Sequence, residues 1–561
     1  MSKDSYKSET KICNFFILAE IMFLTGGIIL HIYGKYSLEV NFMGTIWKEN
    51  GTFTKTGKER SESLWIQEQY RYSIEDQNNT NRIERPSLQK NIQTEVAVIG
   101  AGLAGILIAY MLQQRGLSVV VLECNEAGSG MTKNTTAKIT SQHGLIYHKL
   151  MMYKGEERAR EYAWANQRAL DKFEEMINNL QINCDYEKLP NYIYSLDNEL
   201  KIRQEVEAAK KLGLPARFVK ETTLPFHVKA AIRFDGQAQF HPLKFLDAVA
   251  KELTIYEHTR VTEIQSNGLI NTDKGSVKAK KIVIATHYPF INVPGYYFLR
   301  MHQEREYLIA LDRCAKKEKI RLDGMYLDAD QQGFTFRNYK NYLLLGGASH
   351  RAGQYKPLNA YAKLEKAARQ WFPDCKIKYT WSNQDCMTPD SVPYIGSYSV
   401  NIRNIYVATG FNKWGMSGAM VAAMILSDMI MGRDNKYKRV FDPRRLMFSG
   451  SKTFLKDTAI ITKSLLAEHL SIPHDKLKDI QKGKAGVINY DGQRVGVYRD
   501  MQDNYFFVST KCPHLGCSLE WNPNELTWDC PCHGSRFDYQ GKLINNPAMR
   551  DTFDACVRKK K

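Results

Sequence analysis

Glu95 to Gly105 reads EVAVIGAGLAG, and this stretch decides the fold. Val96 to Ile99 is a short apolar run, the kind a parallel strand buried on both faces uses. Gly100, Gly102 and Gly105 follow as G-x-G-x-x-G. A helix-like segment, ILIAYMLQQRG, ends at Gly116, and a second strand, Leu117 to Leu122, ends in Glu123. Each part has a task in binding a dinucleotide. Gly100 makes the tight turn, Gly102 lets the backbone approach a pyrophosphate, and Gly105 lets helix and strand pack closely. The helix N-terminus offers unpaired N–H groups to phosphate. Glu123 lies 23 residues after Gly100, where an acid can bind ribose hydroxyls. A bare glycine triplet says little; a triplet between a strand and a helix, with an acid ending the next strand, says much more.

Outward from this unit, the chain has 561 residues, 43% hydrophobic and 25% charged. That is ordinary globular usage and excludes a disordered, collagen-like or coiled-coil chain. A mean hydropathy of −0.43 excludes a polytopic membrane protein. Eleven cysteines are too few for a disulfide scaffold, but four of them fall within 21 positions, Cys512 to Cys532. The net charge is +18. Residues 433–482 carry 12 Lys/Arg against 6 Asp/Glu, and residues 483–561 carry 11 against 9. No helix-turn-helix, zinc finger or aromatic-interleaved basic stripe accompanies that charge. It reads as solubility, attraction to a membrane surface or docking of an acidic electron carrier, not as nucleic-acid binding.

Phe15 to Tyr33 is a 19-residue apolar run. It is long enough to span a bilayer and lacks a small-residue cleavage site, so it is a candidate uncleaved anchor for a cytoplasmic catalytic part. Glu20 and Gly26-Gly27 weaken it, and Met43 offers a later start. Residues 35–92 are polar and read as a tether or loosely ordered lead-in.

An acid at the end of the second strand disfavours a 2′-phosphate, which leaves FAD and NAD. KIVIAT (281–286) is a further buried strand. NIYVATGFNKWGMSGAM (404–420) is a strand, a glycine-rich loop and a helix, with Gly410, Gly415 and Gly418 available to a flavin. These features resemble the glycine/D-amino-acid oxidase (DAO) superfamily of FAD enzymes. The resemblance extends to AGSGMTKNTTAKITSQHGLIY (127–147), FDGQAQFHPLKFLDAVA (234–250) and WSNQDCMTPDSVPYIG (381–396). It implies FAD as cofactor, Thr135 and Thr136 beside the isoalloxazine, and 234–250 as the turn and helix of a substrate half. No second G-x-G-x-x-G follows a strand, which argues against NAD(P)H as electron donor.

Near the C-terminus CPHLGC and CPCHGS are separated by 12 residues. Cys512, His514, Cys530 and His533 are two thiolates and two imidazoles, a set that binds either zinc or a [2Fe–2S] cluster. The flanking pattern C-x-H-x-G-C…C-x-C-H-G-S resembles Rieske proteins. The resemblance implies thiolates on one iron, imidazoles on the other, and a Cys517–Cys532 disulfide joining the two loops. Rieske oxygenases generally lack that pair. In respiratory Rieske proteins a tyrosine follows the serine by two positions; here Ser535 is followed by Phe537. One hydrogen-bond donor to the reduced cluster is therefore missing. The expected potential lies above oxygenase-type values and below the respiratory ones, within the Rieske range of about −150 to +300 mV.

On the substrate side, FTFRNYKNYLLLGGASH (334–350) reads as two strands around a turn. The DAO resemblance implies an arginine there for a substrate carboxylate, and Arg337 matches, its planar fork suited to bidentate pairing. Tyr307 and Arg305 are further candidates, and Lys413 and Trp414 sit in the loop expected near the flavin. His143 and His241 read as structural.

The expected fold is an α/β Rossmann-like FAD domain with an interleaved α+β substrate domain, plus a small all-β Rieske domain. The expected division is an N-terminal extension (1–61), an oxidoreductase domain (62–432), a basic linker (433–482) and the Rieske domain (483–561). The expected function passes electrons from a small organic donor, an amine or amino acid, through FAD to the cluster and then to an external acceptor. The alternatives are an oxygen-using oxidase with a Rieske appendage, and a Rieske-fed FAD reductase.

Overall fold

The computed structural model describes residues 62–75, 84–312, 321–330, 333–354, 359–445, 459–460, 464, 476–490 and 492–552. The apolar run at 15–33 and most of the segment 446–475 lie outside the described residues. Among those described, no helix is long and apolar enough to cross a membrane.

The described chain opens with α1 (Leu64–Glu75), β1 (Asn91–Ile99), α2 (Leu103–Gln113) and β2 (Val119–Leu122). It crosses to a second sheet through β3 (Lys138–Ile139), α3 (Tyr147–Asn179), β4 (Glu187–Ser195), α4 (Glu199–Lys211), β5 (Ala216–Val219) and β6 (Ala230–Gln239). Helix α5 (Pro242–Ala250) returns it to the first sheet, where β7 (Thr254–Tyr256), β8 (Val261–Ile264), β9 (Leu269–Thr272) and β10 (Ser276–Ile284) follow. A second excursion supplies β11 (His302–Asp312), β12 (Met325–Asp328), β13 (Thr335–Tyr339), β14 (Tyr342–Arg351), α6 (Ala360–Trp371) and β15 (Lys376–Met387). β16 (Tyr394–Ser397), β17 (Ile405–Thr409) and α7 (Gly415–Ile430) complete the first layer. A short turn of helix, α8 (Lys438–Phe441), follows.

The first sheet runs β16-β17-β10-β1-β2-β7, with β1 parallel to both β2 and β10. Its central strands are apolar on both faces because both are covered: α2 and α7, almost wholly buried, pack on one, and Val261, Ile270, Tyr288 and Tyr394 pack on the other. The second sheet runs β15-β11-β14-β13-β12-β4-β6-β3, so β15 is an edge strand. The segment 234–250 was expected in the substrate half. Only its first residues are, as the end of β6. Helix α5 packs on α2 in the dinucleotide layer and buries Leu243, Phe245, Leu246 and Val249.

The polar lead-in is also not a plain tether. In α1, Leu64 and Trp65 are fully buried. The Trp65 indole N–H donates to the Thr135 carbonyl at 2.7 Å. Burying one tryptophan, roughly 200 Å² at about 25 cal/mol per Å², contributes about 5 kcal/mol, enough to dock a short polar helix. The first residues of the basic linker are docked as well: Phe441 is buried and Arg445 pairs with Asp390 at 2.8 Å.

The C-terminal part is all-β. β18 (Lys484–Tyr490), β19 (Gln493–Arg499) and β20 (Tyr505–Ser509) form a three-stranded antiparallel sheet. β21 (Glu520–Asn522), β22 (Thr527–Asp529), β23 (Arg536–Asp538) and β24 (Leu543–Asn545) form a four-stranded one. Trp528, fully buried, packs between them against Gly496, where a side chain would stand 2.7 Å from the indole ring.

Candidate functional site

A cavity of about 550 Å³ runs from the end of β2 to the C-terminal module. Its first part is made by the glycine turn. Gly100 has φ +103°, and a Cβ there would lie 2.6 Å from the Ala285 carbonyl oxygen. A Cβ on Gly105 would lie 1.9 Å from the Gly100 carbonyl oxygen, so the helix could not seat on the strand. Gly102 differs: its Cβ would meet nothing nearer than Thr132 Oγ1 at 3.6 Å, and it faces the cavity. The missing side chain there leaves room for a ligand and relieves no clash. Thr132 Oγ1 accepts from the Leu103 N–H at 3.1 Å and caps α2. Glu123 accepts from the N–H groups of Ala101 (2.8 Å) and Asn125 (2.9 Å), which fixes its carboxylate on the cavity wall.

The expected flavin residues separate here. Thr135 and Gly415 line the cavity, and a Cβ on Gly415 would meet open space. Thr136, Gly410 and Gly418 do not line it. Thr136 offers its carbonyl to Arg337. Gly410 takes φ +70° with Thr388 packed against it, and Gly418 admits the Phe411 ring. These residues fit FAD: an open glycine cradle, a fixed acid and a second helix N-terminus all converge on one elongated cavity.

The expected substrate residues also move apart. Arg337 is buried and does not reach the cavity. Its guanidinium donates to the carbonyls of Thr136, Ala137 (2.8 Å) and Phe240, and its cation lies 5.2 Å over the Trp65 ring. Burial pushes it down to about 9. It braces the segment beside the cavity and has no fork free for a carboxylate. Tyr307 is buried under the C-terminal module, stacked on His350, with its hydroxyl 3.4 Å from Asn522. Lys413 does line the cavity and pairs with Glu304 at 3.1 Å. His143 is buried, bonded to Tyr162 and Ser417 and stacked on Trp414. His241 caps α5.

In the C-terminal module Cys512, Cys517, Cys530 and Cys532 are buried together, and Cys517 is bonded to Cys532. The rings of His514 and His533 stand 4.9 Å apart at 90°. His514 Nε2 is 2.9 Å from Asn292 Oδ1, so Nε2–H donates and Nδ1 is left as a buried lone pair with no partner. Both ring nitrogens of His533 are buried without a partner. Burial pushes His514 down to about 3 and His533 well below its ordinary value, as neutral ligands require. The Cys512 thiol hydrogen-bonds to Cys530 and so holds Cys530 down against burial; the N–H groups of His533 and Cys532 add to this. Two adjacent sulfurs and two adjacent orphan imidazoles fit a cluster with two ligands of each kind.

The module is docked by its cluster loops. Gln303 Nε2 donates to the His533 carbonyl (2.6 Å) and Gln384 Nε2 to the Gly534 carbonyl (2.8 Å). Arg351 donates to the carbonyls of Pro531 (3.0 Å) and Cys532 (3.2 Å). The Phe298 ring stands edge-on to both histidines. Arg305, 2% exposed, pairs with Glu525 at 2.9 Å, and Tyr361 donates to the same carboxylate at 2.8 Å. Arg305 and Arg536 hold Glu525 at about 2 against the opposing effect of burial. Two glycines allow the approach: a Cβ on Gly353 would lie 2.4 Å from the Pro531 nitrogen, and one on Gly534 would lie 2.7 Å from Gln303. Residues 543–546 of the module close the far end of the same cavity.

Sequence reasoning missed Gln303, Gln384, Glu525 and Asp385. The signal was present in β11 and β15. Q303-x-R305-x-Y307 alternates with E304-x-E306, and S382-x-Q384 alternates with N383-x-D385. A strand polar on both faces faces polar partners on both sides. Register pairs Glu304 with Asp385 and Arg305 with Gln384, so each pair shares a face. Gln303, Arg305 and Gln384 meet the module. Glu304 and Asp385 turn toward Lys413.

Cradle and ligand loops together define an oxidoreductase with a dinucleotide cofactor and an iron–sulfur module packed against it. Residues 95–429 match the FAD dependent oxidoreductase (DAO) family, and residues 471–557 match the Rieske [2Fe-2S] domain. The chain is 36% identical over 482 residues to YhfW of Bacillus subtilis (strain 168), which carries the name of a Rieske 2Fe-2S iron-sulfur protein; the match covers 83% of this chain and 94% of that one. It is 22% identical to gamma-glutamylputrescine oxidoreductase of Escherichia coli (strain K12), covering 65% of this chain and 90% of that one. Glycine oxidase from Geobacillus kaustophilus shares the fold at a TM-score of 0.53 and 16% identity, covering 63% of this chain and 99% of that one. The chain therefore belongs to the DAO family of FAD-dependent oxidoreductases and carries a C-terminal Rieske domain.

Proposed function

We propose that this chain takes electrons from an organic C–N donor at the cavity and delivers them, within one polypeptide, to the Rieske module and then to an external acceptor. The observation that carries this reading is the docking of the cluster loops. The carbonyls of Pro531, Cys532, His533 and Gly534 are all held by side chains of the oxidoreductase part. A bound FAD supplies two-electron chemistry, and a bound [2Fe–2S] cluster supplies one-electron chemistry. The chain's own residues supply proximity. Gln384 and Asn546 line the cavity, and Gln384 also bonds the cluster loop, so one side chain touches both sites. The names of relatives support a C–N donor, one being a gamma-glutamylputrescine oxidoreductase and another solved structure an L-proline dehydrogenase.

Anaerobic mixing of the full chain with a panel of amines and amino acids tests this. The expected result is flavin bleaching followed by the electron paramagnetic resonance signal of a reduced Rieske cluster. The Cys512→Ser protein should bleach without that signal. Bleaching that never reduces the cluster, with turnover sustained by oxygen in Cys512→Ser, would favour an oxidase with a Rieske appendage.

A further inference from the structure

At the substrate end of the cavity, every cation described above is already committed. Arg305 pairs with Glu525, and Arg337 is held by backbone carbonyls. Lys413 pairs with Glu304 and bonds Ser349. Lys138, buried nearby, donates to the Tyr326 carbonyl at 2.8 Å and to Thr335. Arg536 stands 3.3 Å from Asp529. None of them presents the open fork a substrate carboxylate needs.

The wall itself is made of acceptors. Asp385 lines the cavity and receives a hydrogen bond from Asn383 Nδ2 at 2.9 Å. Asn383 also lines the cavity, and its Oδ1 is buried with no donor. Glu304 lies directly across the strand pair from Asp385, and Glu306 across from Asn383. Lys413 and Lys138 act on these three carboxylates, so acids outnumber the cations at the wall. An orphaned acceptor beside a carboxylate calls for a ligand rich in N–H donors.

We propose that the electron donor is a protonated amine with no carboxylate beside its amino group, seated against Asp385 and Asn383, and that Asp385 takes its ammonium proton. This rests on the C–N reading above. One N–H bond of the ammonium breaks, its proton goes to the Asp385 carboxylate, and the nitrogen lone pair is freed. The adjacent C–H bond then breaks with its electron pair passing to oxidised flavin, and a C=N bond forms. Water hydrolyses the resulting iminium to a carbonyl compound and an amine or ammonia. Two electrons leave the donor and two arrive at the flavin.

The charges around Asp385 suit this role. Burial raises it to about 7; Lys413 opposes that, and Glu306 and Glu304 add to it. Lys413 is pushed down by burial, but Glu306, Glu304 and Asp385 outweigh this and raise it, so it stays charged. A base that ionises near neutrality is matched to an ammonium it must deprotonate at working pH.

The test uses matched pairs on the holoenzyme, without oxygen: n-butylamine against norvaline, and 3-methylbutylamine against leucine. Within each pair the molecules differ by one carboxylate. The amines should bleach the flavin about 10²-fold faster than the amino acids, the rate rising through about pH 7 as Asp385 ionises. In Asp385→Asn the rate at neutral pH should fall about 10²-fold, and its rising limb should move up toward the amine's own pKa, while the bound-flavin spectrum and Rieske signal stay unchanged. Should Asp385→Asn fail to fold, Asp385→Glu must keep the limb near neutrality. Faster bleaching by norvaline and leucine overturns the substrate class and leaves the C–N reading standing. Bleaching by none of the four, in protein that dithionite still reduces, defeats the C–N reading together with this inference. An unmoved limb in Asp385→Asn overturns the role of Asp385.

Discussion

The two cofactor sites are built in opposite ways. The cradle for FAD is made largely of absences. Gly102 and Gly415 open space that no described residue fills, and Gly105 removes a side chain that would meet the Gly100 carbonyl oxygen at 1.9 Å. The Rieske site is made of presences, two sulfurs and two imidazoles converging in a buried core. The difference teaches what each site tolerates. An absence is broken by adding one atom, and a ligand set is broken by exchanging one. Gly105→Ala should therefore remove nearly all bound flavin, because its neighbour is backbone and cannot turn aside. Cys530→Ser should abolish the Rieske signal. The contrast holds if each variant spares the other cofactor, read as flavin absorbance and cluster signal on the same sample. Loss of both from either change would show that the two sites fold as one.

Between the two sites lies the interface, and its chief charged contact is the next place to strike. Arg305 is buried and Glu525 is only 15% exposed, so removing the acid strands the cation at a cost of about 3–5 kcal/mol. Glu525→Gln should leave both cofactors bound but slow cluster reduction after flavin bleaching, as the module spends less time docked. The pH dependence has a definite sign. Docked Glu525 is held at about 2, below its ordinary 4.5, so its contribution is complete above about 4.5 and is lost as pH falls toward 2. Rapid-mixing traces should show the transfer phase weakening in that acid window and unaffected between neutral and mildly alkaline pH. Transfer unaltered in Glu525→Gln would mean that the backbone carbonyl contacts alone hold the module.

The same contrast explains what could be read in the sequence. Cysteine and histidine act through their own side chains over short spacings, so the residues that the fold brings together here, Cys512, His514, Cys530 and His533, could be picked out one by one. The glycine turn was legible because a strand, a helix and an acid surround it locally. The wall proposed for the substrate was not. Arg337 has the chemistry for a carboxylate, but its partners are carbonyls of Thr136, Ala137 and Phe240, about a hundred to two hundred positions away. Nothing local distinguishes an arginine that binds a ligand from one that braces backbone. Asp385 and Arg305 gain their roles from strand pairing with each other's neighbours, and the register of β11 on β15 is a property of the fold. Trp65 sits in a polar stretch whose composition says tether, and one large side chain outweighs that composition.

The smallest expected effect tests the cluster side of the contrast at a single atom. Phe537 stands in β23, fully buried in the core that holds Cys512 and Cys530. Ser535, two positions before it, already reaches the cluster site: its hydroxyl bears on the Cys512 thiol, and it accepts from the Ala548 N–H at 2.9 Å. Phe537→Tyr adds one hydroxyl beside sulfurs whose charge grows on reduction. A hydrogen bond of about 0.5–1.5 kcal/mol made mainly to the reduced state raises a one-electron potential by about 20–60 mV. Redox titration followed by the Rieske signal should show that rise with no change in flavin content. An unchanged potential together with a lower melting temperature would mean the hydroxyl lies buried without reaching a sulfur. The potential would then be set by the backbone N–H groups of His514, Cys532 and His533, which are the ones bearing on Cys512 and Cys530. In that event the cluster site, like the flavin cradle, would owe its chemistry to main chain as much as to side chains, and the contrast between the two sites would narrow.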